Sequence, residues 1–127
     1  MINGAHILIF SDDSEADRDF LRDVLGFKSV DVGHGWLIFK LPPAEVAVHP
    51  TDDGSKRAPG TAGHMARAEV YLMCDDLKAQ MKTFETKGVS CAPVQQERWG
   101  MKTSIRLPSG AEIGLYQPSH KTALGLG

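Results

Sequence analysis

One pattern of hydrophobic and polar positions occurs twice along the chain. Residues 5–10 (Ala-His-Ile-Leu-Ile-Phe) and residues 68–74 (Ala-Glu-Val-Tyr-Leu-Met-Cys) are mostly apolar, and two aspartates follow each run, directly or after one serine. Each run is too short for a helix and stops at a polar turn, which is typical of a buried β-strand. Both halves of the chain are therefore predicted to begin with a strand.

Apolar residues at helical spacing follow each pair of aspartates. In the first half, Ser14 and Asp17 have the spacing of a capping box at the start of that segment. In the second half, the aspartates themselves are suited to cap the helix. Gly26 and Gly88 end the two segments, because glycine adopts left-handed backbone angles past a helix end without steric cost. We predict one helix in each half.

Three further extended segments follow each predicted helix, separated by turns rich in glycine and proline. They lie at residues 27–32, 36–41 and 45–49 in the first half, and at residues 89–96, 101–107 and 112–116 in the second. The order β-α-β-β-β thus occurs twice, which indicates one supersecondary unit used as a repeat. We divide the chain into a first module (1–50), a polar linker loop (51–67), a second module (68–118) and a C-terminal tail (119–127).

The predicted fold class is α+β, with two tandem βαβββ modules that form a shared, partly open β-barrel around a cavity. Each predicted sheet has a helix on one face, so its other face needs cover from the second module. Strand alternation puts His6 with Phe10, Glu69 with Tyr71, and Glu112 with Tyr116 on common faces. Both faces of the two opening strands are apolar, so alternation leaves open whether His6 and Glu69 point into the cavity.

Composition changes this picture little but excludes some functions. With 127 residues, 42% of them hydrophobic, the chain is long enough to bury a hydrophobic interior. The formal net charge of -2, without a basic block, argues against partners such as nucleic acids and anionic membranes. No apolar stretch has the length of a membrane span and the first residues lack a leader pattern, so we expect a cytoplasmic protein.

The repeat and the end of the second module together resemble a known superfamily. The closing segment 107–116, Leu-Pro-Ser-Gly-Ala-Glu-Ile-Gly-Leu-Tyr, contains the form P-x-G-x-x-I-x-L-Y. From Ala5 to Pro118 the chain resembles the vicinal-oxygen-chelate superfamily, which includes glyoxalase I, bleomycin-resistance proteins, fosfomycin-resistance proteins and extradiol dioxygenases. The resemblance implies the two-module cavity fold, a small-molecule ligand and a homodimer. It leaves the reaction open, since one fold hosts many functions.

The resemblance also implies where a metal ion would bind. Metal-using members hold the ion with one residue from the first and the last strand of each module. His6 and Glu69 match the two first-strand positions, whereas Ala47 and Gly114 stand at the last-strand positions and offer no ligand side chain. His49 lies two residues beyond Ala47 on the same face, roughly 6.5–7 Å along the strand. The expected ligands are His6, Glu69 and, with a shift of register, His49, for divalent iron, manganese, nickel or zinc.

Two functions follow from the resemblance. The first is a metal-dependent lyase, isomerase or ring-cleaving dioxygenase acting on a small oxygen-bearing substrate, with Glu69, Tyr116 and Glu112 as catalytic residues. The second is a metal-free protein that sequesters a small molecule, as bleomycin-resistance proteins do. The expected substrate-binding residues are Phe10, Trp36, Tyr71, Trp99 and Arg106.

Each of these residues also has a purely structural interpretation. His6 and Glu69 would form a hydrogen-bonded polar pair in a dry cavity. The tyrosines and tryptophans would fill the core or a dimer contact. Lys102 and Arg106 share a face of one predicted strand, where they either contact an anionic substrate or remain solvated charges.

Overall fold

Two helices and six strands form the protein in the computed structural model, which describes residues 1, 3–50 and 65–126. The helices are α1 (Ser14–Asp23) and α2 (Leu77–Thr86). The strands are β1 (Ser29–Asp31), β2 (Leu37–Phe39), β3 (Tyr71–Met73), β4 (Gln95–Glu97), β5 (Gly100–Arg106) and β6 (Glu112–Pro118). The first two strands form one sheet, and the other four form a second. The α+β fold class is confirmed, although the sheets of the described residues do not close into a barrel.

Part of the chain lies outside this description. Residues 51–64, which make up most of the predicted linker, are not described, and neither are Ile2 and Gly127. Among the described residues, neither α1 nor α2 has the long apolar stretch that a membrane-spanning helix requires.

The second half has the predicted β-α-β-β-β order. Its sheet has the strand order β3-β6-β5-β4, with β3 parallel to β6 and the other neighbours antiparallel. The Asp76 carboxylate caps α2 by accepting a hydrogen bond from Ala79 N at 3.1 Å, and Gly88 follows the helix with a φ of 74°. The strand predicted at residues 89–96 is shorter than expected, because Pro93 has no N–H to donate to a neighbouring strand.

The first half is less complete than its pattern predicts. α1 and the β1–β2 hairpin form, but the strands predicted at residues 5–10 and 45–49 do not. Their side chains are largely exposed. The exposed fraction is 67% for Leu8, 87% for Phe10 and 94% for Val48. A strand needs a partner backbone, and no described segment of this chain pairs with either one. The prediction of a buried first strand is therefore wrong for the chain alone.

The start of α1 also differs from the prediction. Asp13, and not Ser14, caps the helix by accepting a hydrogen bond from Ala16 N at 3.2 Å. Asp17, predicted to share a capping box with Ser14, is buried and accepts hydrogen bonds from Ser109 N at 2.9 Å and Ser109 Oγ at 2.7 Å. The Asp17 carboxylate thus accepts hydrogen bonds from the distant turn between β5 and β6 and does not cap its own helix.

The hydrophobic core lies on one face of the four-stranded sheet. It consists of Leu77, Phe84, Val89, Ile105, Leu107, Ile113 and Leu115. Apolar residues of α1 and of the turn after it pack against this core, namely Phe20, Leu21, Val24 and Leu25. Both helices therefore cover the same face of the sheet, and its other face points away from them.

Candidate functional site

The uncovered face of the four-stranded sheet carries the candidate site. Along β5 and β6, core residues alternate with Lys102, Ser104, Arg106, Glu112, Gly114 and Tyr116. Cross-strand pairing joins Lys102 to Tyr116, Ser104 to Gly114 and Arg106 to Glu112, and it joins Tyr71 of β3 to Gly114 from the other side. We call these seven residues and the surface they form the open face.

A cavity of about 980 Å³ lies over the open face. Its walls come from residues 6–10, residues 65–71 and parts of the sheet, and most of the lining side chains are apolar. The acidic and basic lining residues are His6, Arg67, Glu69, Lys102 and Glu112. This volume is at the upper end of the range for small-molecule sites, and an apolar lining with a few polar groups is typical of them.

The three predicted metal ligands do not meet. His6 and Glu69 line the cavity from its two wall segments, whereas His49 is not part of the lining. Within residues 1, 3–50 and 65–126, no three His, Cys, Asp or Glu side chains come together in a group that could hold a metal ion. One chain, as far as it is described, therefore brings two of the three expected ligands to one cavity.

An aromatic ring fills the space next to Gly114. A Cβ atom at this position would overlap Cγ, Cδ2 and Cε2 of the Tyr71 ring. The two residues lie side by side because they are Cα partners in the parallel pair of β3 and β6. Any side chain at position 114, including a metal-binding carboxylate, would have to displace the ring.

Tyr71 belongs to a cluster of three aromatic rings. Its ring centroid lies 5.6 Å from that of Tyr116 and 6.5 Å from that of Trp99, both in edge-to-face geometry. Trp99 and Tyr116 meet in the same way at 5.4 Å. Pairs of this kind contribute about 0.5–1.5 kcal/mol each beyond the burial of area. Tyr71 lines the cavity, whereas Trp99 and Tyr116 hold its ring in place.

The hydroxyl of Tyr116, a predicted catalytic residue, faces the tail and Glu45. The His120 ring stacks on Tyr116, and its Nε2 lies 3.4 Å from the hydroxyl. The Glu45 carboxylate lies 3.9 Å from that nitrogen and accepts a hydrogen bond from Ala123 N at 2.7 Å. Partial burial, followed by the negative charge of Glu45, raises the pKa of Tyr116. Tyr116 is therefore a neutral hydroxyl and not a base near neutral pH.

Glu112 and Arg106, predicted to act on the substrate, are bound to each other. Ser104 Oγ donates a hydrogen bond to Glu112 Oε1 at 2.9 Å, and Arg106 Nη2 lies 3.5 Å from Oε2. The Arg106 side chain is 72% exposed, so this ion pair adds little stability. Glu112 lines the cavity and Arg106 lies beside it, where its charge offsets that of Glu112.

The remaining predicted contacts, Phe10 and Trp36, have different surroundings. Phe10 lines the cavity. Trp36 lies outside it, with the Arg18 guanidinium 4.5 Å from its ring centroid. Gln95 lines the cavity next to its cross-strand partner Lys102 and was missed by the sequence reasoning. Strand alternation alone does not show which face of β4 points to the cavity. Gln95 can be identified only when the pairing of β4 with β5 is known.

The family of the chain follows from a sequence comparison. The model of the Glyoxalase/Bleomycin resistance protein/Dioxygenase superfamily matches residues 4–115. This chain belongs to that superfamily. The resemblance inferred from the repeat and the closing segment is thereby confirmed. A comparison with curated proteins finds no match.

Several solved structures share the fold of this superfamily member. TnmS3, an antibiotic binding protein from Streptomyces sp. CB03234, is 26% identical over 94% of this chain and 100% of its own, with a TM-score of 0.58. A superfamily member from Sphaerobacter thermophilus is 26% identical over 91% of this chain and 98% of its own, with a TM-score of 0.55. A lactoylglutathione lyase from Agrobacterium tumefaciens is 21% identical over 91% of this chain and 92% of its own, with a TM-score of 0.58. At this identity the likeness shows the fold alone.

The metal arrangement expected for the superfamily does not fit the described residues of this member. Ala47 has no ligand atom in its side chain, and the Tyr71 ring occupies the space at Gly114. His49, which would have to replace the missing ligands, does not line the cavity. The cavity is better suited to direct contact with a ligand than to a metal held by four side chains.

Proposed function

We propose that this chain is a metal-independent binding protein that holds a small, largely apolar molecule in the cavity over the open face. The observation that carries the proposal is the Tyr71 ring beside Gly114, which puts an aromatic surface where a metal ligand would project. The apolar lining supports the same function. So does the 26% identity, over 94% of the chain, to a structure described as an antibiotic binding protein.

Binding in such a cavity draws on the hydrophobic effect. Each 100 Å² of apolar ligand surface removed from water contributes about 2.5 kcal/mol. Trp99 and Tyr116 hold the Tyr71 ring on its other sides, so little side-chain freedom is lost when a flat ligand packs against it. We expect a ligand with a flat apolar part. The protein binds and releases this ligand without changing it chemically.

The test is the binding of phenylnaphthylamine, a neutral fluorescent probe, to protein kept in a metal chelator. Wild-type protein is expected to bind the probe in a saturable manner. Ser104→Trp places an indole in the cavity from the middle of β5 and should weaken binding at least about tenfold, because the indole and the probe compete for one space. Ser29→Trp, at an exposed position of β1, is the matched control and should bind like wild type.

Two results would contradict the proposal. One is the loss of probe binding when metal is chelated, with recovery when metal is added back. The other is equal affinity for wild type and Ser104→Trp, provided that circular dichroism shows both to be folded. In that case the probe would bind elsewhere on the exposed apolar surface.

A metal-dependent lyase, isomerase or dioxygenase is the second candidate function, because His6 and Glu69 line the same cavity. Metal content, measured by inductively coupled plasma mass spectrometry on untagged protein, distinguishes the two candidates. Near-stoichiometric iron, manganese, nickel or zinc that both His6→Ala and Glu69→Ala remove would favour the enzyme. Equal metal content in wild type and both variants would favour the binding protein.

The working form of the protein is proposed to be a homodimer. Residues 5–10 and 45–49 are mostly apolar, apart from His6, Glu45 and His49, and they lack a backbone partner in the described chain. Val46 and Val48 are 91% and 94% exposed. Unpaired apolar segments of this kind are normally covered by pairing with other strands. Because residues 6–10 also form one wall of the cavity, a second copy that covers them would complete the ligand site.

A further inference from the structure

We infer that the cavity selects an anionic ligand, and that Lys102, assisted by Gln95, binds the negatively charged group. This inference rests on the proposed function, since it concerns the same cavity. The expected ligand has a flat apolar body with one carboxylate, sulfonate or phenolate, and Lys102 distinguishes it from a neutral analogue.

The surroundings of Lys102 support an anion site. Its side chain is half-buried, lines the cavity and lies on the open face between Gln95 of β4 and Tyr116 of β6. Its ammonium lies 5.4 Å from the centroid of the Trp99 ring. This cation–π contact orients the lysine side chain over the sheet. None of the ion pairs among the described residues involves Lys102. Lys102 therefore lines the cavity with no carboxylate ion-paired to it among residues 1, 3–50 and 65–126.

Gln95 provides a second polar contact at the same place. It is the cross-strand partner of Lys102, and it lines the cavity as well. An amide N–H₂ and an ammonium carried by paired residues of neighbouring strands offer two kinds of donor to the oxygens of one anionic group. Hydrogen bonds to an ionised acceptor are stronger than neutral ones, so the pair favours a charged over a neutral oxygen.

The charges of the cavity are separated along β5. Lys102 and Arg106 are four residues apart on one strand, or about 13 Å. Arg106 and Glu112 pair at the far end, and Glu69 lies toward that end because it precedes Tyr71 in a strand parallel to β6. Lys102 is thus separated from the acidic lining residues Glu69 and Glu112, which lie toward the end that also holds Arg106 and, two residues before Glu69, Arg67. An anionic group is favoured at the Lys102 end, with the apolar body against Tyr71.

A matched pair of probes tests this inference. Anilinonaphthalene sulfonate differs from phenylnaphthylamine by one sulfonate group, so the two share the apolar body. Lys102→Met keeps an unbranched side chain that is one heavy atom shorter, and it removes the charge. It is expected to weaken binding of the sulfonate probe about tenfold and to change binding of the neutral probe less than about twofold. Added salt should weaken binding of the sulfonate probe to wild-type protein and have little effect on its binding to Lys102→Met.

Lys82→Met, on the exposed side of α2, is the control for a general loss of positive charge and should leave both probes unaffected. Equal weakening of both probes by Lys102→Met would overturn the inference, because it would show that the side chain acts by packing on Trp99. Unchanged binding of the sulfonate probe would overturn it as well. These results leave the proposed function intact as long as Ser104→Trp still blocks the neutral probe. If Ser104→Trp blocks neither probe, the proposed function fails and the inference fails with it.

Discussion

At position 114 the available space dictates the residue. The place of a Cβ atom is taken by the Tyr71 ring, which Tyr116 and Trp99 hold edge-to-face. The sequence shows that Gly114 cannot be a metal ligand, but it does not show what lies there instead, because the contact depends on the register between β3 and β6. The missing ligand and the aromatic wall of the cavity therefore have one structural origin.

Gly114→Ala is expected to lower the free energy of unfolding by about 1–3 kcal/mol, because the added Cβ forces the Tyr71 ring out of place. In a Tyr71→Ala background the same substitution should cost much less, since the colliding ring is gone. Urea unfolding of both single variants and the double variant measures this coupling. Gly125→Ala, where a Cβ meets nothing within 4 Å, is the control and should stay within about 0.5 kcal/mol of wild type. An equal cost in both backgrounds would contradict the steric explanation.

At the level of elements, α1 joins the two halves of the chain. Its apolar residues pack on the core of the second sheet, although the helix belongs to the first half. The buried Asp17 carboxylate accepts two hydrogen bonds from Ser109 in the turn between β5 and β6. On the other side, Lys87 Nζ donates a hydrogen bond to Val24 O at 3.0 Å, at the end of the same helix. Asp17 is therefore a buried polar contact between α1 and the four-stranded sheet.

Asp17→Ala is expected to lower the free energy of unfolding by about 2–3 kcal/mol, because it removes a charged acceptor and leaves a backbone N–H of the turn without it. Asp19→Ala is the matched control on the same helix. The Asp19 side chain is 53% exposed, and its carboxylate contacts Arg22 at 3.2 Å. The free energy of unfolding of Asp19→Ala should therefore stay within about 0.5 kcal/mol of wild type. Urea unfolding measures both, and similar losses for the two variants would show that the Ser109 contact is unimportant.

The parts of the fold that could be predicted are those whose signals are local. Helix caps, glycine stops and strand alternation act over a few residues, and they identified both helices and the order of elements along the second half of the chain. Residues 5–10 carry a clear strand signal, yet the pattern does not say which backbone will pair with them. The candidate site shows the same division. The sequence selects His6, Glu69 and Tyr71 as candidates, whereas the contact of the Tyr71 ring with position 114 depends on a register that no sequence pattern contains.

On the scale of the whole molecule, the apolar surface is distributed unevenly. The core residues lie in α2, the loop after it and the second sheet, while the first half exposes large apolar side chains. Among them are Ile7, Leu8, Phe10, Val46 and Val48. Monomeric proteins rarely expose contiguous apolar surface of this kind, and bare strand edges promote association. A second copy is a suitable cover, because each chain offers the same two unpaired segments and a symmetric interface is self-complementary.

Light scattering after size-exclusion chromatography is therefore expected to give twice the mass of one chain at micromolar concentration. Val48→Asp should raise the dimer dissociation constant at least about a hundredfold, since a symmetric dimer would bury the new charge twice. Leu126→Asp, at a 78% exposed apolar position in the tail, is the control and should remain dimeric. Val48 does not line the cavity, so weaker binding of phenylnaphthylamine by Val48→Asp would report on assembly and not on a lost contact. A monomeric wild type, or the same mass for both variants, would exclude a second copy as the cover of these segments.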